Sequence, residues 1–344
     1  MLTEQTDRSS MIEAIVTRRG GSIDSPDSLV DAQVAAPGAP TGHDLLVEVK
    51  AVSVNPVDVK IRAAGPRGGE RILGWDAAGT VLRVGEEVTM FRPGDDVYYA
   101  GSLDRPGSYT RRQLVDERIV ARKPASLSFA EAAALPLTAI TAWEALFDKL
   151  RLNAESTGTI LVIGAPGGVG SILIQLVKTL TSVRVLATAS RPESKEWVEK
   201  LGADVVLDHR DPDLAGQILA AVPGGVDYVF TANSRGRIPL LTRVVRPFGQ
   251  IVAIDDERDL DFYALKDKAI SWHWEFMFAR PRHGWDLIAQ HDLLERLAQL
   301  VDSGRIRTTL TRSLSPINAA NLREAHRMVE SGGAVGKIVA EGWE

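Results

Sequence analysis

The stretch TILVIGAPGGVGSILIQL, Thr159 to Leu176, sets four glycines between two apolar runs near the middle of a 344-residue chain. "TILVIG" carries no charge and reads as a buried strand. Beyond the glycines, Val169, Ile172, Leu173, Leu176, Val177 and Leu180 recur at i, i+3, i+4 and i+7 spacing, the mark of one helix face. A turn joining such a strand to such a helix lets backbone N–H groups approach a pyrophosphate at the positive end of the helix. Gly164 permits the tight turn, Gly167 and Gly168 allow close approach of the ligand, and Gly170 lets the helix pack near the sheet. No lysine follows the glycines, so this is not the phosphate loop of a nucleotide triphosphatase.

The same alternation continues on the C-terminal side. "VRVLATA" is a strand, "PESKEWVEKLGA" a helix with Pro192 in its first turn and Gly202 closing it, and "DVVLD" a third strand. "PDLAGQILAAV", "VDYVFTA", "IPLLTRVV" and "GQIVAID" extend the series, which predicts an α/β, doubly wound parallel sheet with helices on both faces. In that context the glycine turn is a dinucleotide signature. The second strand ends "ATASRPESK", with Ser190 and Arg191 where an acid would accept the ribose hydroxyls of NAD, and Lys195 one helical turn on. Cations there favour the 2′-phosphate, so the expected cofactor is NADPH. Glu193, just behind Pro192, reads as a first-turn helix residue.

Toward the N-terminus the rhythm changes. From Met11 to about Ala121 the apolar runs are short and valine-rich, and turns such as "PRGG", "RPGDD" and "RPGS" separate them. The chain therefore divides into an all-β unit over 1–136 and a dinucleotide-binding unit over 137–283. The remainder, 284–344, is too short for a domain and is expected to complete the first unit. The opening "MLTEQTDRSS" is polar, reads as a frayed tail and has no secretory pattern.

Composition excludes several classes of function. A net charge of −5 offers no basic field for nucleic acid or an anionic membrane. The absence of cysteine removes disulfides, thiolate nucleophiles and cysteine-based zinc sites, and fits a reducing cytoplasm. Six histidines (His43, His209, His273, His283, His291, His326) form no HExxH pair or tight cluster, so no metal is expected. The most apolar segment, "AEAAALPLTAITAWEALF", is interrupted by Pro136 and polar residues and fails as a membrane span. A Tyr-x-x-x-Lys pair and a GxSxG elbow are both missing.

Taken together, "SVNPVDVKIR", "LGWDAAGTVLRVG", "FRPGDDV", "AAALPLTAITAWEAL", "GAPGGVGS" and the terminal "GKIVAEG" resemble the medium-chain dehydrogenase/reductases over nearly the full chain. The likeness is to the zinc-free quinone oxidoreductase branch and its zinc-type alcohol dehydrogenase-like relatives. It implies a GroES-like β-barrel domain, a Rossmann domain, and catalysis in the cleft between them. Zinc-dependent members carry cysteine where this chain has Asn55 to Asp58 and histidine where it has Trp75. Without those ligands, hydride transfer to a quinone or an α,β-unsaturated carbonyl is expected, because conjugation spreads the developing charge. The alternatives are an NADPH-binding protein of sensing or structural role and a zinc-type alcohol dehydrogenase.

The resemblance also implies residue roles. Asn55 and Asp58 would orient the substrate oxygen or the nicotinamide ribose, and Lys60, where related reductases carry tyrosine, would donate a hydrogen bond or proton. Thr138 and Thr141 would face the nicotinamide, with Phe230, Thr231 and Asn233 at its ribose. Trp75, Phe276 and Phe278 would line the substrate pocket, and Gly336 and Lys337 would close over the cofactor beside Val169 and the glycines. A homodimer is implied too, paired through an edge strand of the Rossmann sheet such as "GQIVAID".

Overall fold

Short apolar runs broken by Gly/Pro turns make strands, and the first third of the chain consists almost wholly of them. A computed structural model describes residues 11–66 and 68–344; the N-terminal tail expected over the first ten residues lies outside them. Strand β1 (Met11–Thr17) pairs with β2 (Val30–Ala35) and the short β4 (Arg71–Ile72). Between them run β3 (Asp44–Ser53) and helix α1 (Pro56–Ala64), which begins at the Asn-Pro of "NPVD". A larger sheet has the order β15-β16-β3-β5-β6-β8, with β7 also on β3. Its members are β5 (Ala77–Val84), β6 (Asp96–Tyr99), β7 (Arg112–Asp116), β8 (Val120–Arg122), β15 (Leu310–Leu314) and β16 (Lys337–Glu341). The last two come from the C-terminus, and β16 lies antiparallel to β3 with Val339 opposite Ser53.

Two helices, α2 (Phe129–Ala133) and α3 (Pro136–Trp143), then lead through a π-helical turn, Glu144–Lys149, into a second sheet. It is parallel, with order β11-β10-β9-β12-β13-β14. The alternation is β9 (Thr159–Ile163), α4 (Gly168–Leu180), β10 (Arg184–Thr188), α5 (Pro192–Lys200) and β11 (Val205–Leu207). It continues through α6 (Leu214–Ala221), β12 (Val226–Thr231), α7 (Ile238–Val244), β13 (Val245–Ala253) and β14 (Ser271–Trp274). Every residue of β9 is buried, as a central parallel strand covered on both faces requires. The expected α/β class holds, and the glycine turn sits at the C-terminal end of the central strand.

One expectation is corrected here. "GQIVAID" belongs to β13, which lies between β12 and β14, so it has no free edge; β14, "SWHW", is the edge strand instead. Strand order depends on crossovers, which the local apolar pattern does not encode.

The remaining helices, α8 (Ala279–His283), α9 (Ile288–Asp302) and α10 (Ala319–Glu330), return the chain to the β-rich sheet. Helix α9 packs against α3 and β8 and is tied to the sheet by the buried Tyr98, whose Oη donates to the Leu294 carbonyl at 2.6 Å. Tyr98→Phe removes that bond while keeping the ring, and a loss of about 1–2 kcal/mol is expected in urea denaturation. An unchanged midpoint would show that ring packing alone docks α9.

Candidate active site in the cleft

The two sheets meet around a cavity of about 320 Å³. One wall comes from Val54 to Val57 at the start of α1, a second from Gly164 and Gly167 to Gly170, and a third from Phe276, Met277 and Phe278. Thr138 and Thr141 of α3 and Gly336 and Lys337 at the start of β16 close the remaining sides. Gly164 has φ +85°, the left-handed conformation that lets β9 turn sharply into α4. The first N–H groups of α4 have no intrahelical acceptor, so this wall presents donors and a positive helix end, which fit a pyrophosphate. At Gly168 a Cβ would come within 2.6 Å of Lys337 Cδ and 3.0 Å of Thr138 Cγ2. The missing side chain is what allows Lys337 to pass beneath the turn. The Gly336 N–H donates to the Pro166 carbonyl at 2.8 Å, joining the C-terminal segment to the glycine turn.

Lys337 is buried, and its ammonium faces away from the cofactor wall. Nζ donates to the Val54 carbonyl at 2.9 Å and to Asn55 Oδ1 at 2.6 Å, and lies 3.3 Å from Asp76 Oδ2. Asp76, just ahead of β5, also accepts from Asn55 Nδ2 at 2.8 Å and from the Leu137 N–H at 2.8 Å. The chemistry fixes the Asn55 amide: its oxygen meets a group that can only donate, and its nitrogen meets a carboxylate that can only accept. Burial pulls Lys337 below the ordinary lysine value and Asp76 above the ordinary carboxylate value, and each charge opposes the other's shift. Three acceptors around one ammonium and three donors around one carboxylate leave the pair ionised.

Asp58 lies behind this triangle rather than on the cavity. One of its carboxyl oxygens accepts the Asn55 N–H at 2.7 Å, capping α1, while Oδ1 has no hydrogen-bond partner among the described residues. Burial raises it from 3.8 to about 7, against the lowering pull of the Asn55 N–H and Lys337. Deeper still, the Tyr109 hydroxyl meets His326 Nε2 at 3.2 Å, and burial, with Arg62 nearby, holds His326 down to about 3. Arg62, fully buried, donates to the Gly21 carbonyl at 2.8 Å and pairs with Glu330.

The other expected site residues divide between the cavity and its surroundings. Trp75 is fully buried and does not line the cavity; its indole N–H donates to Ser102, and its ring stands edge-on behind Phe278 at 6.4 Å. Phe230 and Thr231 lie in the core of β12, and Ala232 reaches the cavity in their place. Asn233 lines a groove that adjoins the cavity, sharing Lys60, Ala232 and Asp256 with it, in which Asp255 and Glu257 lie among Arg235 and Arg258. Lys60 sits at the cavity rim, half exposed, its Nζ 2.6 Å from Asp256. The hydroxyls of Thr138 and Thr141 are bonded to the Leu135 and Leu137 carbonyls, so both threonines offer the cavity little polarity. Ser190, Arg191 and Lys195 lie outside the cavity at the end of β10. There Arg191 donates to the Gly333 carbonyl and pairs with Glu193, and Lys195 lies 3.8 Å from Asp208.

Comparison with known proteins places this arrangement. Residues 41–136 match the family described as alcohol dehydrogenase GroES-like domain, and 201–339 the family described as zinc-binding dehydrogenase. The chain is 43% identical over 309 residues to a zinc-type alcohol dehydrogenase-like protein of Staphylococcus aureus, covering 87% of this chain and 91% of that one. It belongs to the medium-chain dehydrogenase/reductase superfamily. A crystal structure from Rhizobium etli, provisionally described as a zinc-dependent alcohol dehydrogenase protein, shares 49% identity and a TM-score of 0.93 over 97% of this chain and 99% of that one. An NADPH-dependent alkenal/one oxidoreductase of Arabidopsis thaliana is 29% identical over 305 residues, 86% of this chain and 71% of that protein. The superfamily identifies the chain as an oxidoreductase that takes a nicotinamide cofactor. Among the described residues, no three His, Cys, Asp or Glu side chains are grouped to hold a metal ion.

Several residues of this dehydrogenase/reductase site escaped the sequence reading. Asp76 is one. Glu275 is another: it is buried beside Glu144 and has no hydrogen-bond partner on either carboxyl oxygen among the described residues. Burial and the neighbouring Glu144 push Glu275 well above the ordinary carboxylate range, while Arg280 pairs with Glu144 at 3.0 Å. Arg210 is a third, donating to the Ser190 carbonyl at 2.7 Å beside Asp208. Asp76, Glu144 and Glu275 share one signal, an acid inside an otherwise apolar run ("GWDAAG", "TAWEAL", "HWEFMF").

The Asp58 shift has a consequence for stability. A carboxyl raised from 3.8 to about 7 keeps its proton in the folded chain where the unfolded chain has lost it. Its contribution is full below the unfolded value and disappears as the pH rises through about 7. In Asp58→Asn the side-chain oxygen can still accept the Asn55 N–H. Relative to that variant, the wild-type protein should lose stability, on the order of 4 kcal/mol at most, from about pH 4 to above 7. Urea denaturation across that range reads the difference, and parallel curves would refute it.

Proposed function

We propose that the protein is an NADPH-dependent reductase, cytoplasmic and zinc-independent, that delivers hydride to an α,β-unsaturated carbonyl compound or a quinone. The observation that carries this reading is the polarity of the cavity. Beyond the glycine turn its walls are largely apolar, and the side-chain donors that reach it are nearly all engaged: Thr138 and Thr141 with backbone carbonyls, Lys337 with Val54, Asn55 and Asp76, and Lys60 with Asp256. Asn55 and Glu275 are the exceptions: Asn55 Nδ2 makes one bond, to Asp76, among the described residues, leaving its second hydrogen for a ligand, and the carboxyl of Glu275, which also lines the cavity, has no hydrogen-bond partner on either oxygen among the described residues. The amide of Asn55, an uncharged donor, suits an oxygen whose charge is shared with a conjugated system better than a localised alkoxide, which calls for a Lewis acid.

Bound in this cleft, a reduced nicotinamide would supply a hydride from its C4 carbon. The chain's own residues do the rest. The glycine turn and the start of α4 hold the pyrophosphate, Thr138 and Thr141 limit where the ring can lie, and Asn55 orients the acceptor carbonyl. Phe276, Met277 and Phe278 keep water from the acceptor. Arg191, Lys195 and Arg210 gather near Ser190, and this cluster supports a 2′-phosphate partner despite the two acids, Glu193 and Asp208, that share it. Purified protein should consume NADPH with members of a panel of alkenals, alkenones, ortho-quinones and para-quinones. Silence across that panel would sink the reading. Arg191→Ala should weaken NADPH binding about 10–100-fold, the worth of one charge-assisted phosphate contact, and leave NADH within a few-fold.

We also propose a homodimer through the edge of β14. An unpaired edge is a template for a second strand, and here it carries Trp272 and Trp274 beside Phe262. Sedimentation equilibrium should read a dimer for the wild-type chain and a monomer for Trp274→Lys. A dimer that survives that change would move the interface elsewhere.

A further inference from the structure

Asn55 is held by two opposite charges, and they act on opposite ends of its amide. The ammonium of Lys337 is 2.6 Å from Oδ1, and the carboxylate of Asp76 is 2.8 Å from Nδ2. All three groups are almost wholly shielded from water: Asn55 is 1%, Lys337 4% and Asp76 0% exposed. In such surroundings hydrogen bonds polarise one another strongly. A cation on an amide oxygen draws electron density from its nitrogen and makes the N–H groups more acidic. Lys337 cannot serve a ligand directly, because Val54, Asn55 and Asp76 use its three hydrogens.

We infer that Lys337 is a positioning residue that converts Asn55 into a strengthened hydrogen-bond donor, so that the second Nδ2 hydrogen stabilises charge on a substrate carbonyl oxygen. This rests on the reading of the protein as an enone or quinone reductase. In that reaction a C–H bond forms at the β-carbon and the π pair moves onto the oxygen. The acceptor gains two electrons, the nicotinamide loses them, and water supplies the proton that completes the product. The charge on oxygen exists only after the electron pair has moved, so a stronger donor there raises kcat more than it lowers KM. Asp76 fixes the amide plane from the other side, and its bond to the Leu137 N–H holds that plane against α3.

The test uses the full-length protein with NADPH and a simple alkenone, in Asn55→Ala, Lys337→Met and the double variant. Lys337→Met should lower kcat roughly 10–100-fold, with KM and the NADPH dissociation constant within about three-fold. The double variant should be no slower than Asn55→Ala alone, because Lys337 acts through Asn55. Losses that multiply would overturn the inference. If Lys337→Met leaves Asp76 unpaired and the protein fails to fold, Lys337→Met/Asp76→Asn carries the same comparison with no charge stranded.

A second readout does not depend on turnover. The Asn55 side-chain NH2 signals, assigned by their loss in Asn55→Ala, should move upfield by on the order of half a ppm in the proton dimension when Lys337 loses its charge. If they move and no acceptor is reduced, the reductase reading falls and the polarised amide stands. If acceptors are reduced but the signals stay and the losses multiply, the polarised amide falls and the reductase reading stands.

Discussion

The buried ion pair between Lys337 and Asp76, with the Asn55 amide wedged between them, is the constraint on which the rest of the structure depends. Its members come from the start of β16, the start of β5 and the N-terminus of α1, and Asp76 also holds the first turn of α3. Bringing two charges out of water costs several kcal/mol per ion, and their attraction offsets this only where every remaining lone pair and proton finds a partner. Here each of the three ammonium hydrogens has an acceptor and each carboxylate oxygen has a donor. Losing either partner would strand the other charge, with a penalty of roughly 3–5 kcal/mol. The C-terminal segment must therefore return to the first sheet, and it does so with Lys337 as the first residue of its last strand.

The same pair ties the two halves of the molecule to one point in the cleft. Lys337 can lie beneath the glycine turn only because Gly168 has no side chain, and the Gly336 N–H locks that crossing to Pro166. A glycine usually explained by the approach of a pyrophosphate has a second duty here, the approach of a lysine from another sheet. The polar groups of the cleft are thus spent on architecture. What remains open to a ligand is an apolar space, a helix end, one amide hydrogen of Asn55 and the carboxyl of Glu275.

Local pattern carried much of this. The strand, glycines and helix at Thr159–Leu176 lie where their periodicity puts them, because a buried parallel strand and an amphipathic helix are written in neighbouring residues. Asn55 and the glycines reach the cavity for the same reason. What failed was inference by substitution. Trp75 stands where zinc-dependent members of the superfamily carry a ligand, yet a bulky indole at that position turns into the core and backs Phe278. Phe230 and Thr231 failed because a central parallel strand is covered on both faces, so both consecutive side chains are buried, and Ala232, just past the strand end, meets the cavity. Asp76 and Glu275 were legible only as acids in apolar runs, since the groups they meet, Lys337 for Asp76 and the like-charged Glu144 for Glu275, lie far away in sequence.

Those displaced acids also determine which part of the cleft is stiff. Glu275 lies buried beside Glu144, and Arg280 binds Glu144, Asp148 and Asp286 together, so the Phe276–Phe278 wall is fastened to the π-helical turn behind α3. Gln290 of α9 adds a bond to the Met277 carbonyl at 2.6 Å, and Trp75 fills the space behind Phe278. At the mouth the cleft is bridged by Lys60 and Asp256, both more than half exposed, a pair whose worth in water is at most about 1 kcal/mol. A wall held by buried contacts does not yield before a rim held by a solvated ion pair. Lys60, the side chain expected to donate a hydrogen bond or proton, lines the cavity at that rim.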